Sequence, residues 1–101
     1  MKKIKLLTIE GCGVCIKLKS SLTAAGLKYD ETVCGRHNQF CDEIENITKC
    51  EMYPMVILND SLIVCLTDEY SMIDQHKKIS NITQVLYKHS IDSLFDFIKK
   101  F

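Results

Sequence analysis

Two cysteines set three positions apart, Cys12 and Cys15, stand where an apolar strand gives way to an amphipathic helix. Before them, Ile4, Leu6, Leu7 and Ile9 leave little polar surface near the end of the segment 3–9, as in a strand buried on both faces. After them, Val14, Cys15, Leu18, Leu22 and Ala25 fall at helical spacing, with Lys17, Lys19, Ser20, Ser21 and Thr23 on the outer face. Gly26 supplies a left-handed stop. A Cys-x-x-Cys pair at such a junction suits reversible disulfide chemistry or, less often, a metal. Cysteines that merely fill a core do not ordinarily sit at a glycine-flanked helix entry such as Glu10-Gly11-Cys12-Gly13-Val14-Cys15.

The position selects a nucleophile. At the mouth of a helix, unsatisfied backbone N–H groups and the helix dipole favour an anion. A cysteine pKa falls there from about 8.5 to between ~3.5 and 7.5. Cys12 is therefore predicted to attack, and Cys15, one turn in, to resolve the mixed disulfide.

The rest of the composition sets the context. A chain of 101 residues, 47% of them hydrophobic, suits one globular domain over 1–101. At this size roughly 60–70% of the unfolded surface is buried, so folding does not depend on disulfide staples. Thirteen basic residues balance thirteen acidic ones, which gives no field for nucleic acid or anionic lipid. The run after Met1-Lys2-Lys3 is broken by Lys5, Thr8 and Glu10, unlike a signal peptide, and nothing is long enough to span a membrane. The six cysteines are accordingly expected to be mostly reduced thiols of a cytoplasmic protein.

Downstream, Leu27, Tyr29 and Val33 alternate as a half-buried strand, and 35–38 is a polar break in which Asn38 is a plausible N-cap. Phe40, Cys41, Ile44 and Ile47 form a second helical stripe. Tyr53 and Pro54, the only proline, lead into the apolar strand Met55-Val56-Ile57-Leu58. Segments 62–66 and 82–87 have strand character, with 67–81 read as loop and a short helix between them. Ser90 caps a last helix whose apolar face is Ile91, Leu94, Phe95, Ile98 and Phe101. The first strand, helix and strand imply a parallel pair joined by a right-handed crossover.

This order, with Cys-x-x-Cys after the first strand and a lone proline before the third, resembles the thioredoxin-like superfamily and within it the glutaredoxins. The resemblance covers residues 3–58 and 83–101. It implies a four-stranded mixed sheet flanked by helices, a cis Tyr53-Pro54 bond facing the cysteines, and a thiol–disulfide oxidoreductase acting through Cys12 and Cys15. It also implies glutathione as co-substrate, held by the Tyr53 main chain, by Gly13, Val14 and Gln39, and by Asp92 in the turn before the last helix. Partners implied are protein disulfides, with ribonucleotide reductase a candidate, and glutathione or a thioredoxin-reductase-type donor; the protein is expected to be a monomer. His89-Ser90-Ile91-Asp92-Ser93-Leu94 matches the family's turn in position but lacks its two glycines. On that alignment an insertion occupies about 60–81. A second alignment takes Leu62 to Asp68 as fourth strand and turn. The first is preferred, because the last helix then starts where the family's does.

Two departures bear on the cofactor. Relatives place a lysine just before the motif, where this chain has Glu10, a charge that opposes a glutathione carboxylate; Lys17, Arg36 and Gln39 are the compensating candidates. Cys-Gly-Val also matches the first three positions of the cluster-carrying relatives' Cys-Gly-Phe-Ser, so a non-enzymatic carrier of a [2Fe–2S] cluster, held by Cys12 and glutathione, is the alternative. A thioredoxin-fold interaction module is a third reading. Cys34, His37 and Cys41 lack zinc-knuckle spacing and Cys41 fits the apolar stripe, so no metal site is expected. A disulfide of Cys34 with Cys41 or Cys50 is the other use for these residues.

Overall fold

The computed structural model describes residues 2–35, 38–80 and 83–101. In chain order these form β1 (Ile4–Thr8), α1 (Gly13–Ala24), β2 (Asp30–Val33), α2 (Gln39–Thr48), β3 (Met55–Leu58), β4 (Leu62–Leu66), a 3-10 turn (Tyr70–Met72), β5 (His76–Lys78), β6 (Gln84–Lys88) and α3 (Ile91–Lys100). One sheet runs in the order β2-β1-β3-β4-β6-β5. β1 and β2 are parallel, as the crossover through α1 requires. β3 lies antiparallel to both β1 and β4, β6 runs parallel to β4, and β5 closes the edge antiparallel to β6.

The sheet therefore has six strands rather than the four expected, and the added pair, β5 and β6, extends it beyond β4. The preferred insertion at 60–81 is corrected as well. Leu62–Leu66 is the direct hairpin partner of β3, as in the second alignment. The reason is burial. Val64 and Leu66 enter one core and Ile63 and Cys65 the other, so this run can be satisfied only inside a sheet. Asn59 and Asp60, both at positive φ, turn the chain tightly enough to bring it there.

Alternation along the central strands builds a three-layer molecule. Leu6, Val56, Leu58, Val64 and Leu86 point to the side of Leu18 and Leu22 of α1 and Leu94 and Ile98 of α3. Leu7, Met55, Ile57, Ile63, Val85 and Tyr87 point to the other side, with Cys41 and Ile44 of α2. At about 25 cal/mol per Å² of apolar area, each fully buried leucine or isoleucine contributes about 1.5–3 kcal/mol. The buried stripes are narrower than the sequence predicts: Val14 and Val33 are exposed, Phe40, Ile47 and Phe101 are largely so, and Thr48 takes a buried place on α2. Because β1 and β2 are parallel while β3 and β4 alternate in direction, the ends of β1, β2, β4 and β6 and the start of β3 all lie at one end of the sheet. The cysteine motif sits there.

Candidate active site

Gly11 makes the turn out of β1. Its φ of +73° is a left-handed conformation that a side chain disfavours. Cys12 follows in an extended conformation as the N-cap of α1, and its sulfur accepts the backbone N–H of Cys15 at 3.1 Å. One of the orphan donors of the helix start is thus turned on the sulfur. Cys15 is buried on α1, Cys12 is half-buried at its mouth, and the two are joined as a disulfide with Cα atoms 5.3 Å apart. Gly13, by contrast, has no positive φ and open space where a Cβ would stand, so nothing in the fold requires glycine there.

Tyr53-Pro54 is cis and forms the facing wall. The Tyr53 carbonyl oxygen lies 3.9 Å from Cys12 Sγ. The Tyr53 hydroxyl donates to Glu45 Oε1 of α2 at 3.0 Å. Burial first, then the Glu45 carboxylate, pushes its pKa up to about 12. The segment leading to this wall is fixed at Thr48, whose hydroxyl donates to Ile44 O at 2.7 Å and accepts the Cys50 N–H at 3.1 Å. The Tyr87 hydroxyl donates to Thr48 O at 2.9 Å, and Cys50 is bonded to Cys65 of β4.

A cavity of about 190 Å³ opens beside the sulfurs, lined by Thr8, Ile9, Glu10, Gly11, Cys12, Cys15, Ile16, Lys19, Glu31 and Val33. The parallel register, Leu6 against Glu31 and Thr8 against Val33, carries Glu31 into it. There the Thr8 hydroxyl donates to Glu31 at 2.6 Å and the Lys19 ammonium at 3.0 Å. The Thr8 hydrogen bond first, and Lys19 second, hold the Glu31 carboxyl below the ordinary glutamate range.

The predicted glutathione ligands are less gathered. Asp92 stands exposed in the first turn of α3, 3.6 Å from Lys17 of α1. Gln39 donates to Glu43 within α2 at 3.2 Å. Val14 is exposed in the first turn of α1. Arg36 and His37 lie outside the described residues. The cysteines, Tyr53 and Pro54 are legible in the sequence, which does not single out Gly11, Glu31 or the Cys50–Cys65 bond. Only Gly11 carried a local signal, a glycine immediately ahead of a helix cap.

All six cysteines are paired, Cys12 with Cys15, Cys34 with Cys41 and Cys50 with Cys65. The expectation of mostly reduced thiols is thereby corrected: Cys34, just past the end of β2, meets Cys41 in the first turn of α2, and Cys50, just past the end of α2, meets Cys65 near the end of β4. Cys34 and Cys41 are consumed by one another. Among the described residues no group of three or more His, Cys, Asp or Glu is placed to hold a metal ion.

The family model described as Glutaredoxin matches residues 4–63, which is more than half of the chain. The match takes in β1, the cysteine motif and the cis-proline wall, and ends inside β4; β5, β6 and α3 lie beyond it. No curated protein matches the chain.

Proposed function

The chain belongs to the glutaredoxin family, a family of thiol–disulfide oxidoreductases, and from that premise we propose that it reduces disulfides through a Cys12/Cys15 dithiol. The observation that carries the proposal is the pair itself: Cys12 caps α1, accepts the Cys15 N–H, and faces the Tyr53 carbonyl across the cis-proline wall.

In the reduced protein the helix N-terminus and the Cys15 N–H stabilise negative charge on Cys12 Sγ. The Cys12 thiolate attacks one sulfur of the substrate disulfide, forming a mixed disulfide and releasing the other sulfur as a thiolate that takes a proton. Cys15 then loses its proton and its thiolate attacks Cys12 Sγ. The second substrate thiol leaves, and the Cys12–Cys15 disulfide remains. The substrate gains two electrons, and two thiols of an external donor, glutathione or a reductase, restore the dithiol. The Tyr53 main chain supports the substrate strand-wise beside Cys12.

The test is turnover of a small dialkyl disulfide with glutathione and its reductase, or with a thioredoxin-reductase-type donor. Cys12→Ser is expected to abolish turnover with either donor. Cys15→Ser is expected to accumulate a mixed disulfide on Cys12, visible as an added mass that dithiothreitol removes. Undiminished turnover by Cys12→Ser would overturn the assignment of the nucleophile.

A further inference from the structure

We propose that the cavity beside Cys12 selects a polypeptide disulfide flanked by apolar side chains over a glutathione disulfide, with Ile9, Ile16 and Val33 as the specificity-determining residues. The proposal rests on the oxidoreductase reading above and names the substrate class for that site.

Three observations carry it. First, the walls are aliphatic and open: Ile9 is 40% exposed, Ile16 60% and Val33 51%, and all three line the cavity that holds both sulfurs. Large aliphatic side chains left in water, from the loop after β1, from α1 and from the end of β2, give the cavity that holds the reactive sulfur an apolar rim. Second, the cavity's charges do not suit glutathione, which brings two carboxylates. Its one lysine, Lys19, is bonded to Glu31 at 3.0 Å, and Glu31 is further held ionised by Thr8. The other charge in the lining is Glu10, exposed just before the motif. Lys17, on the flank of α1, is paired with Asp92. Among these described residues a carboxylate answers each cation, so a ligand carboxylate meets repulsion or must displace one. Third, a volume of about 190 Å³ falls below the ~300–1,000 Å³ of sites that enclose a small-molecule ligand. It accommodates a side chain or two of a segment that continues outside. The occupant has to deliver a disulfide sulfur to Cys12, so it is a cysteine-bearing protein segment with apolar neighbours. The Tyr53 carbonyl, 3.9 Å from Cys12 Sγ, stands on the opposite wall to meet its backbone.

The experiment compares kcat/KM for two substrates on the same protein. One is a peptide whose cysteine, flanked by leucine and valine, is disulfide-bonded to a reporter thiol; the other is the glutathione disulfide of the same reporter, and dithiothreitol is the common donor. The wild type is expected to favour the peptide by at least about tenfold, the worth of one buried aliphatic side chain. Ile16→Lys and Val33→Lys are expected each to lower the peptide-to-glutathione ratio about tenfold, and the uncharged Ile16→Asn to lower it as well. A wild-type ratio at or below one, or a ratio that none of the three substitutions moves, overturns the proposal while leaving the oxidoreductase reading in place. Absence of Cys12-dependent turnover with both substrates overturns both.

Discussion

Cys12 serves helix and chemistry with one atom. Its sulfur accepts the Cys15 N–H that would otherwise be unsatisfied at the start of α1, and the same atom faces the Tyr53 carbonyl across the site. An N-cap is worth about 0.5–2 kcal/mol, so the fold itself holds the reactive sulfur in place. Glu31 shows the same economy nearby. It ties β2 to β1 through Thr8 and to α1 through Lys19, and those two bonds hold its carboxyl below the ordinary range. A carboxyl depressed in the folded state stabilises that state above its unfolded pKa, near 4.3, and the contribution disappears as pH falls through the lower folded value. With its side chain about a quarter exposed, the network is worth about 1 kcal/mol after screening. Glu31→Gln should therefore lower unfolding free energy by about 1 kcal/mol at pH 7 and make progressively less difference below pH ~4. Urea titrations of both proteins at the two pH values decide it; a difference that grows on acidification would refute the assignment.

Elements meet at the active-site end through bonds that local sequence does not encode. Cys50–Cys65 fastens the approach to the cis-proline wall onto β4, closing 15 residues, and Cys34–Cys41 fastens the end of β2 onto the start of α2, closing 7. On chain-entropy grounds the first is worth about 3 kcal/mol and the second somewhat over 2 kcal/mol. Thermal unfolding of Cys50→Ala/Cys65→Ala and of Cys34→Ala/Cys41→Ala, each against the parent, should show the larger loss for the first pair; the reverse order would mean that native packing, not loop closure, dominates. The sequence makes one half of this arrangement legible. The β1-to-α1 junction, α2, β3 and α3 each carry a periodic apolar pattern, and Cys12, Cys15 and Pro54 carry recognisable chemistry. It hides the other half for physical reasons. β5 is His76-Lys77-Lys78, wholly exposed, and is a strand only because β6 supplies its hydrogen bonds. Glu31 belongs to the site through register, and a cysteine partner is a fact of three dimensions. β4 escapes an alignment anchored on the start of α3, although its own five-residue apolar run suits only a place inside the sheet.

For the whole molecule the open question is whether β6, outside the stretch that matches the family, is an appendage or part of the cooperative unit. Its side chains answer for the unit. Leu86 enters the core with Leu94 and Ile98 of α3, Val85 and Tyr87 enter the opposite core, and the Tyr87 hydroxyl reaches Thr48 O ahead of the cis-proline wall. β6 cannot separate from β4 without opening both layers and freeing that segment. β5 touches neither core: its three residues are exposed, and it is held at the sheet margin by β6 alone. Local openings cost little where few buried contacts are lost and approach the global free energy where the core is lost. Native-state hydrogen exchange should therefore find the β6 amides bonded to β4 as protected as those between β3 and β4, near the global ~5–15 kcal/mol of a domain this size. Protection in β5 should fall away at a small fraction of that. If β5 and β6 exchanged together well below β4, the added strands would be a separate local unit. The wall opposite Cys12 would then do without the Tyr87–Thr48 tie and be held by the Thr48 hydroxyl bonds, the Cys50–Cys65 bond and the Tyr53–Glu45 contact.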